Sequence, residues 1–463
     1  MTYERNGLLL PERETPQNDR DLRDSLRMVS GEAAETYKEL ALTPEKRAAA
    51  LEAWHQGDDA ELSASHLDSL DLDSKLTSLR RWKRDLLARD DVDPLTKQLY
   101  RWKVNEHIAN VNMMVASSKG DTATFQRWNE FIYGKSDEMI YRAALDWVAH
   151  DADTLLAIPD QHPTIIQAAE RVKQLLDGKR GYREVLIPEP DTFEAVRADH
   201  MSETGYYGLL LAGVEVPEGK ITPQVGDPIL ERVIQNIGSN KKIVDADGAS
   251  WGVSSRGVER PSTYNMPSQR FVGLGLGHEI GSHELERTNG RRGPLALVED
   301  GLDRYENGNE GRAVIREQAP YESFDEFGKI VRWRDILRRH IAISFASGVG
   351  EERLASSAET YAFMNAIDTM YQMKLKPDEP ERAHEAAQKK SDELCLRVLK
   401  GTDGKGGAYL KDKVYLEGHV ANWLTAATRG ASSITEGDLG KFDITNPRHI
   451  LALQQLGLLP END

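Results

Sequence analysis

The stretch HEIGSHELERTNG, His278–Gly290, holds two histidines and a glutamate in an order close to that of a zinc-peptidase helix. Such a helix carries its histidines four apart, one turn, with the glutamate directly after the first. Here His278 and His283 are five apart. On a regular α-helix, residues five apart diverge by about 140°, against about 40° for four apart. A single π-bulge restores the register, because its wider turn returns i and i+5 to one face. Gly281 lies between the histidines and Gly273, Gly275 and Gly277 precede them, which leaves the backbone free to widen. The apolar, glycine-rich run before them implies burial, and buried histidines need partners.

A hydrolytic zinc site takes three protein ligands from His and Asp/Glu and keeps one position for water, whose pKa falls to about 7. A nearby carboxylate then takes the water's proton and passes it to the leaving amine. His278 and His283 supply two ligands and Glu279 that acid/base. HEAAQ at 384–388 shows the accidental half-motif, with no second histidine after it. For the third ligand the next residues offer Glu284, Glu286, Glu299, Asp300, Asp303, Glu306 and Glu310. Glu299 and Asp303 lie one turn apart, and Glu310 sits in NEGRAVIREQ (309–318), which reads as the first turn of a second helix. Spacing leaves these open.

Outward from this helix, the 463 residues can bury more than one core. Charged side chains make up 29% and hydrophobic ones 39%, a globular balance. Fifty-nine basic against 76 acidic residues give −17, the wrong sign for a duplex-binding protein. Cys395 is the single cysteine, so neither an intrachain disulfide nor a thiolate metal site can form, which suits a reducing cytosol. The first residues lack the apolar run of a signal peptide, and YYGLLLAGV (206–214) is too short to span a bilayer. The expectation is a cytoplasmic protein that binds neither nucleic acid nor membrane.

Four segments follow from the patterning. Residues 1–24 are polar with two prolines and read as a loosely held tail. Residues 25–155 read as a helical domain, with TPEKRAAALEAWHQ (43–56) opening on a Thr-Pro cap and DPLTKQLYRWKVNEHIANVNMMVAS (93–117) on Asp-Pro. In the latter, Leu95, Leu99, Trp102, Ile108 and Val111 form a rough apolar stripe. Residues 156–240 read as a mixed connector, with REVLIPEP (183–190) a short strand and DPILERVIQNIG (227–238) a helix stopped at Gly238. From 241 to 463, short β-favouring runs precede RFVGLGLGHEIGSHELER (270–287), and later helices follow. The fold class expected is α+β, predominantly helical, with a small sheet packed on the metal-binding helix of a zincin-like core.

HEIGSH together with NEGRAVI (309–315) resembles the HEIGTH and QEGLA signatures of a zinc peptidase family that includes the microtubule-associated tyrosine carboxypeptidases. LTKQLYRWKVNEHIANVNMM (95–114), FIYGKSDE (131–138), GGAYLKDKVYLEGHV (406–420) and LGKF (439–442) are similar to further family segments, and the likeness covers about residues 75–445. The resemblance implies zinc held by His278, His283 and Glu310, with Glu299 as the fallback third ligand, and Glu279 as acid/base. Asn309 and Arg312 depart from the family's Gln or Glu and its Leu. The implied activity is removal of a C-terminal residue from a peptide or protein, tyrosine from α-tubulin in the animal enzymes. Such an enzyme needs a cation for the terminal carboxylate and a donor for the oxyanion. Lys411 or Arg312 is assigned to the first and Tyr415 to the second.

Tubulin tails are acidic, and a chain at −17 repels them unless a local basic patch focuses the field. RWRDILRRH (332–340) concentrates four arginines, either as such a patch or as a solvated helix face. Two other readings compete with the carboxypeptidase: an aminopeptidase or endopeptidase on the same zinc scaffold, and a non-catalytic helical binding protein. Glu279 speaks against the last, since a structural zinc site has no use for that carboxylate.

Overall fold

Helices begin where the cap residues place them. The Thr43 hydroxyl accepts a bond from the Lys46 N–H at 3.3 Å, and Pro44–Gln56 follows, ending at Gly57 with φ 84°. Asp93 accepts from the Leu95 and Thr96 N–H groups at 2.8 and 3.0 Å and starts Pro94–Ser118. Along that helix Leu99 and Val111 are buried as expected, but Leu95, Trp102 and Ile108 are only half-buried. Tyr100 and Val104 take the deepest positions instead. The computed structural model describes residues 8–31, 36–246, 248, 250–351 and 353–460.

The chain is predominantly helical with a small sheet. The helices that position the site are α1 (Gln17–Ser30), α2 (Tyr206–Leu210), a π-helix (Phe271–Glu284) continued by α3 (Leu285–Arg292), α4 (Glu306–Gln318), α5 (Val331–Ala346) and α6 (Val414–Arg429). Among the described residues, five short strands precede the π-helix. β1 (Lys220–Ile221) pairs antiparallel with β5 (Met266–Pro267). β2 (Ile243–Asp245) runs parallel to β4 (Val258–Arg260), which pairs antiparallel with β3 (Gly252–Val253). Trp251, beside β3, lies edge-on to Phe271 at 6.2 Å, so the sheet rests on the start of the π-helix as expected.

Several expectations are corrected. The described part of the N-terminal tail is docked: the Leu10 N–H donates to Asn289 Oδ1 at 3.0 Å, and Thr15 Oγ1 donates to the Gly293 carbonyl at 2.7 Å. Buried Asp19 of α1 accepts from the Ala296 N–H at 2.6 Å. Its polar composition hides these anchors, while residues 1–7 of that tail lie outside the described residues. REVLIPEP forms a 3₁₀ turn, Arg183–Leu186, rather than a strand. The boundary near 155 separates no core, since one cluster of buried apolar side chains runs from Leu22 to Leu459. A second core gathers Leu8, the segment around α2, the helix Pro223–Asn236 and one face of the π-helix. Among the described residues no helix is long and apolar enough to cross a membrane.

The π-helix is wider than a single bulge: fourteen residues keep the i→i+5 register. Such runs are rare because the wide backbone packs poorly on itself, and here neighbouring side chains support it. Ser282 Oγ donates to the Gly277 carbonyl at 3.0 Å, Tyr206 Oη donates to the same carbonyl at 3.2 Å, and Arg316 Nη1 donates to the Gly281 carbonyl at 2.9 Å. Gly281 is needed for this fit, because a Cβ there would stand 1.7 Å from Tyr206 Oη. Gly281→Ala is therefore expected to lower stability by about 1–3 kcal/mol in urea unfolding. Adding Tyr206→Phe should recover part of that loss, and strictly additive costs would refute the contact.

Candidate metal centre

The π-helical register brings the two imidazoles together. His278 and His283 have ring centroids 4.9 Å apart at 82°. One ligand atom from each, with one from Glu279, falls within a 4.8 Å cluster. α4 faces them and delivers Glu310, whose Oε2 lies 3.5 Å from His278 Nε2 and 3.6 Å from His283 Nε2. Those separations are too long for good hydrogen bonds. They match the spacing of about 3.4 Å between neighbouring donors of a tetrahedral ion with bonds of about 2.05 Å. Glu310 Oε2 is buried and has no hydrogen-bond partner among the described residues. An orphaned carboxylate oxygen aimed at two imidazole nitrogens fits a bound cation, and two imidazoles with one carboxylate suit zinc.

Each rival for the third ligand is committed elsewhere through at least one oxygen, and Glu284, whose Oε2 is also buried without a hydrogen-bond partner among the described residues, has no contact with either imidazole there. Glu299 holds Arg23 at 2.6 Å and Arg291 at 2.7 Å, and Asp303 holds His449 at 3.3 Å. Arg27 takes Asp300 at 2.5 Å, Lys411 takes Glu306 at 2.5 Å, and Ser239 donates to Glu284 at 2.6 Å. Glu286 is clasped by Asn309 and Arg312. The two departures from the family signature thus act together on one buried carboxylate.

Glu317 is the residue that sequence reasoning missed. His278 Nδ1 lies 2.7 Å from Glu317 Oε1, which leaves Nε2 to face Glu310. A carboxylate behind a ligating histidine fixes the ring and raises its basicity. Arg332 of α5 grips Glu317 in turn, through Nε at 3.1 Å to both oxygens and Nη2 at 2.9 Å to Oε1. The signal was present, since Glu317 follows Glu310 by seven residues, two turns along one face of α4. Burial pushes Glu317 up, but Arg332 and His278 outweigh it and hold the carboxyl at about 2.

The electrostatics around the histidines favour a cation. Burial acts to lower the His278 pKa, yet Glu317, Glu279 and Glu310 raise it to about 10. Burial likewise pushes Glu310 up, but the two histidines hold it well below the usual carboxylate range. Glu279 is 5% exposed, its Oε1 lies 3.9 Å from His278 Nε2, and neither of its oxygens accepts a hydrogen bond from the described residues. Burial raises its pKa against the pull of the histidines.

The expected substrate-binding residues fare differently. Arg312 is 1% exposed and is spent on Glu286 and on Asp438 at 3.1 Å, which corrects its assignment to a substrate carboxylate. Lys411 is tied to Glu306, one turn before Glu310. It lines a cavity of about 640 Å³ with Tyr37, Lys103, Glu306, Lys413 and Glu417. None of His278, Glu279, His283 or Glu310 lines that cavity, so it adjoins the centre without containing it. Tyr415 is near: Arg332 and Arg339 stand 5.4 and 5.3 Å from its ring centre, and burial followed by the Glu310 charge raises its pKa and keeps the phenol protonated. The four arginines of RWRDILRRH form neither a basic patch nor a solvated face. None is exposed, Arg332 serves Glu317, and Arg338 binds Asp368 at 2.5 Å.

Glu317→Ala should weaken metal binding by about 10- to 100-fold in a chelator competition, and an unchanged affinity would remove Glu317 from the centre. Asp412, beside Lys411, gives a pH test. Burial raises its pKa, but Arg397, bonded to it at 2.8 Å, brings it down to about 2. Its stabilising charge is present above the unfolded value of 3.8 and is lost as pH falls towards 2. Asp412→Asn should therefore cost about 2 kcal/mol near pH 6 in urea unfolding. The difference from wild type should shrink between pH 4 and 2, and a constant gap would contradict the pairing. No protein-family model, curated protein or solved structure matches the chain.

Proposed function

We propose that the chain is a zinc-dependent metallopeptidase of the carboxypeptidase type, with a zincin-like centre, acting on the C-terminus of a peptide or protein. The observation that carries this reading is the convergence of His278 Nε2, His283 Nε2 and the unpartnered Glu310 Oε2, with the free carboxylate of Glu279 beside them. Zinc held by His278, His283 and Glu310 would polarise the scissile carbonyl and acidify water.

The chain's own groups do the rest. Glu279 takes a proton from water as its oxygen bonds to the carbonyl carbon. Tyr415 donates its phenolic proton in a hydrogen bond to the oxygen that gains charge. As the carbon–nitrogen bond breaks, Glu279 returns the proton to the departing amine, so the carboxylate ends as it began. Glu317, fixed by Arg332, holds the His278 ring with Nε2 forward. Burial, which pushes the Glu279 pKa up, helps the carboxylate take the proton that it later gives back.

The cations beside Tyr415 favour a carboxypeptidase over an aminopeptidase or endopeptidase, because a substrate's terminal carboxylate needs a positive partner. The commitment of Arg332 and Arg338 to buried acids removes the support that RWRDILRRH offered for an acidic tubulin tail. One buried cysteine agrees with a reducing cytoplasm.

Plasma-emission analysis should find about one zinc per wild-type chain and sharply less in Glu310→Ala; a metal-free wild type after supplementation would sink the reading. Glu279→Gln should keep its zinc while peptide turnover falls by about 10²–10⁴-fold. Survival of turnover in that variant would rule out the proton transfers above.

A further inference from the structure

One of the guanidiniums around Tyr415 has no acid bonded to it among the described residues. Three guanidiniums cluster there: Arg332, Arg339 and Arg397. Arg332 is held by Glu317 through three contacts, and Arg397 by Asp412 through two. Arg339, on α5 one residue before His340, forms no hydrogen bond or ion pair among the described residues. Its guanidinium stands 5.3 Å from the centre of the Tyr415 ring, and it is only half-buried. Burial, and then Arg397, act to lower its pKa, while Asp412, already bonded to Arg397, acts to raise it.

A partly dehydrated guanidinium without an acid is costly unless something brings one. Its position ties it to the centre through a continuous set of contacts. His278 meets Glu317, Glu317 is held by Arg332, and the cations of Arg332 and Arg339 both stand over the Tyr415 ring. The planar fork of an arginine matches a carboxylate with two parallel N–H···O bonds, which a lysine cannot copy. Its cation stands over the Tyr415 ring, which places that fork beside the group assigned to the oxyanion.

We infer that Arg339 is the residue that grips the substrate's terminal carboxylate and so makes the site select free C-termini. This rests on the peptidase reading of the centre, and it replaces the roles that Arg312 and Lys411 cannot take because acids of the chain already occupy them. The rival cation is Arg287, on α3 one turn past His283, whose Nε is buried and unpartnered. It has no comparable contact to Tyr415 or Glu317 among the described residues.

The test is calorimetric titration of zinc-loaded Glu279→Gln protein, which binds without cleaving. The probes are N-acetyl dipeptides ending in tyrosine, leucine, lysine or glutamate, each as free acid and as amide. At least one free acid should bind, with its amide weaker by about 10- to 100-fold. Arg339→Met in the same background should weaken the acid by a similar factor, to the level of the amide, while Arg287→Met leaves it unchanged. Arg339→Lys should recover only part of the binding. Because Arg339 has no bonded acid partner among the described residues, Arg339→Met should keep the wild-type thermal midpoint and zinc content, which separates binding from folding. Equal binding of acids and amides, no binding by any probe, undiminished binding by Arg339→Met, or loss in Arg287→Met instead would each overturn the assignment. Zinc content and wild-type turnover report on the peptidase reading separately: an active zinc enzyme indifferent to Arg339→Met refutes this inference alone.

Discussion

The widened register of Phe271–Glu284 is the constraint on which the centre depends. An α-helix would turn His278 and His283 well apart, whereas the i→i+5 repeat returns them to one face. That repeat leaves carbonyls in need of support, and the fold supplies it from outside the helix. Tyr206 and Arg316 reach the Gly277 and Gly281 carbonyls, and Arg316 also stacks on Tyr206 at 4.0 Å. The small residues of the helix admit these groups at close range. Widening, glycine content and aromatic neighbours are therefore one arrangement.

The second requirement is the meeting of α4 with α6. Gly311 and Gly418 face each other so closely that a Cβ on Gly311 would stand 2.0 Å from the Gly418 carbonyl carbon. This contact seats Glu310 and Glu317 on one side and brings Tyr415, one turn before Gly418, to the other. The charges that result are buried and mostly matched: Glu317 with Arg332, Asp412 with Arg397, Glu286 with Arg312, and Asp438 with Arg312 and Arg316. Such pairs contribute little net stability after desolvation, but they fix geometry, since losing either member strands the other. Against this background of matched pairs, the Glu310 oxygen that faces both imidazoles has no hydrogen-bond partner among the described residues, and Arg339 has no bonded acid there. On the proposed reading, the metal completes the first and the substrate carboxylate the second.

Much of this was legible in the residues. The Thr-Pro and Asp-Pro caps located two helices, because a cap is a local bond between neighbours in sequence. The spacing of His278 and His283 required a widened helix, although one bulge was expected and a whole run of wide turns is present. Its length follows from Tyr206 and Arg316, which are remote in sequence. The strand expected in REVLIPEP became a 3₁₀ turn, since among the described residues no strand pairs with it to outweigh its local preferences.

The sequence by itself determined the residue types and their local periodicity: two histidines, a following glutamate, glycines that permit close approach, and helices with defined starts. Only the tertiary structure decided which of seven nearby acids meets both imidazoles, because that choice depends on how α4 lies against the π-helix and on which arginines claim the others. It alone paired Asn309 with Arg312 on Glu286, placed Glu317 behind His278, and left Arg339 without a bonded acid among the described residues. Periodicity is a property of neighbours along the chain and can be read there. Charge pairing is a property of neighbours in space, drawn here from residues as far apart as Arg23 and Glu299.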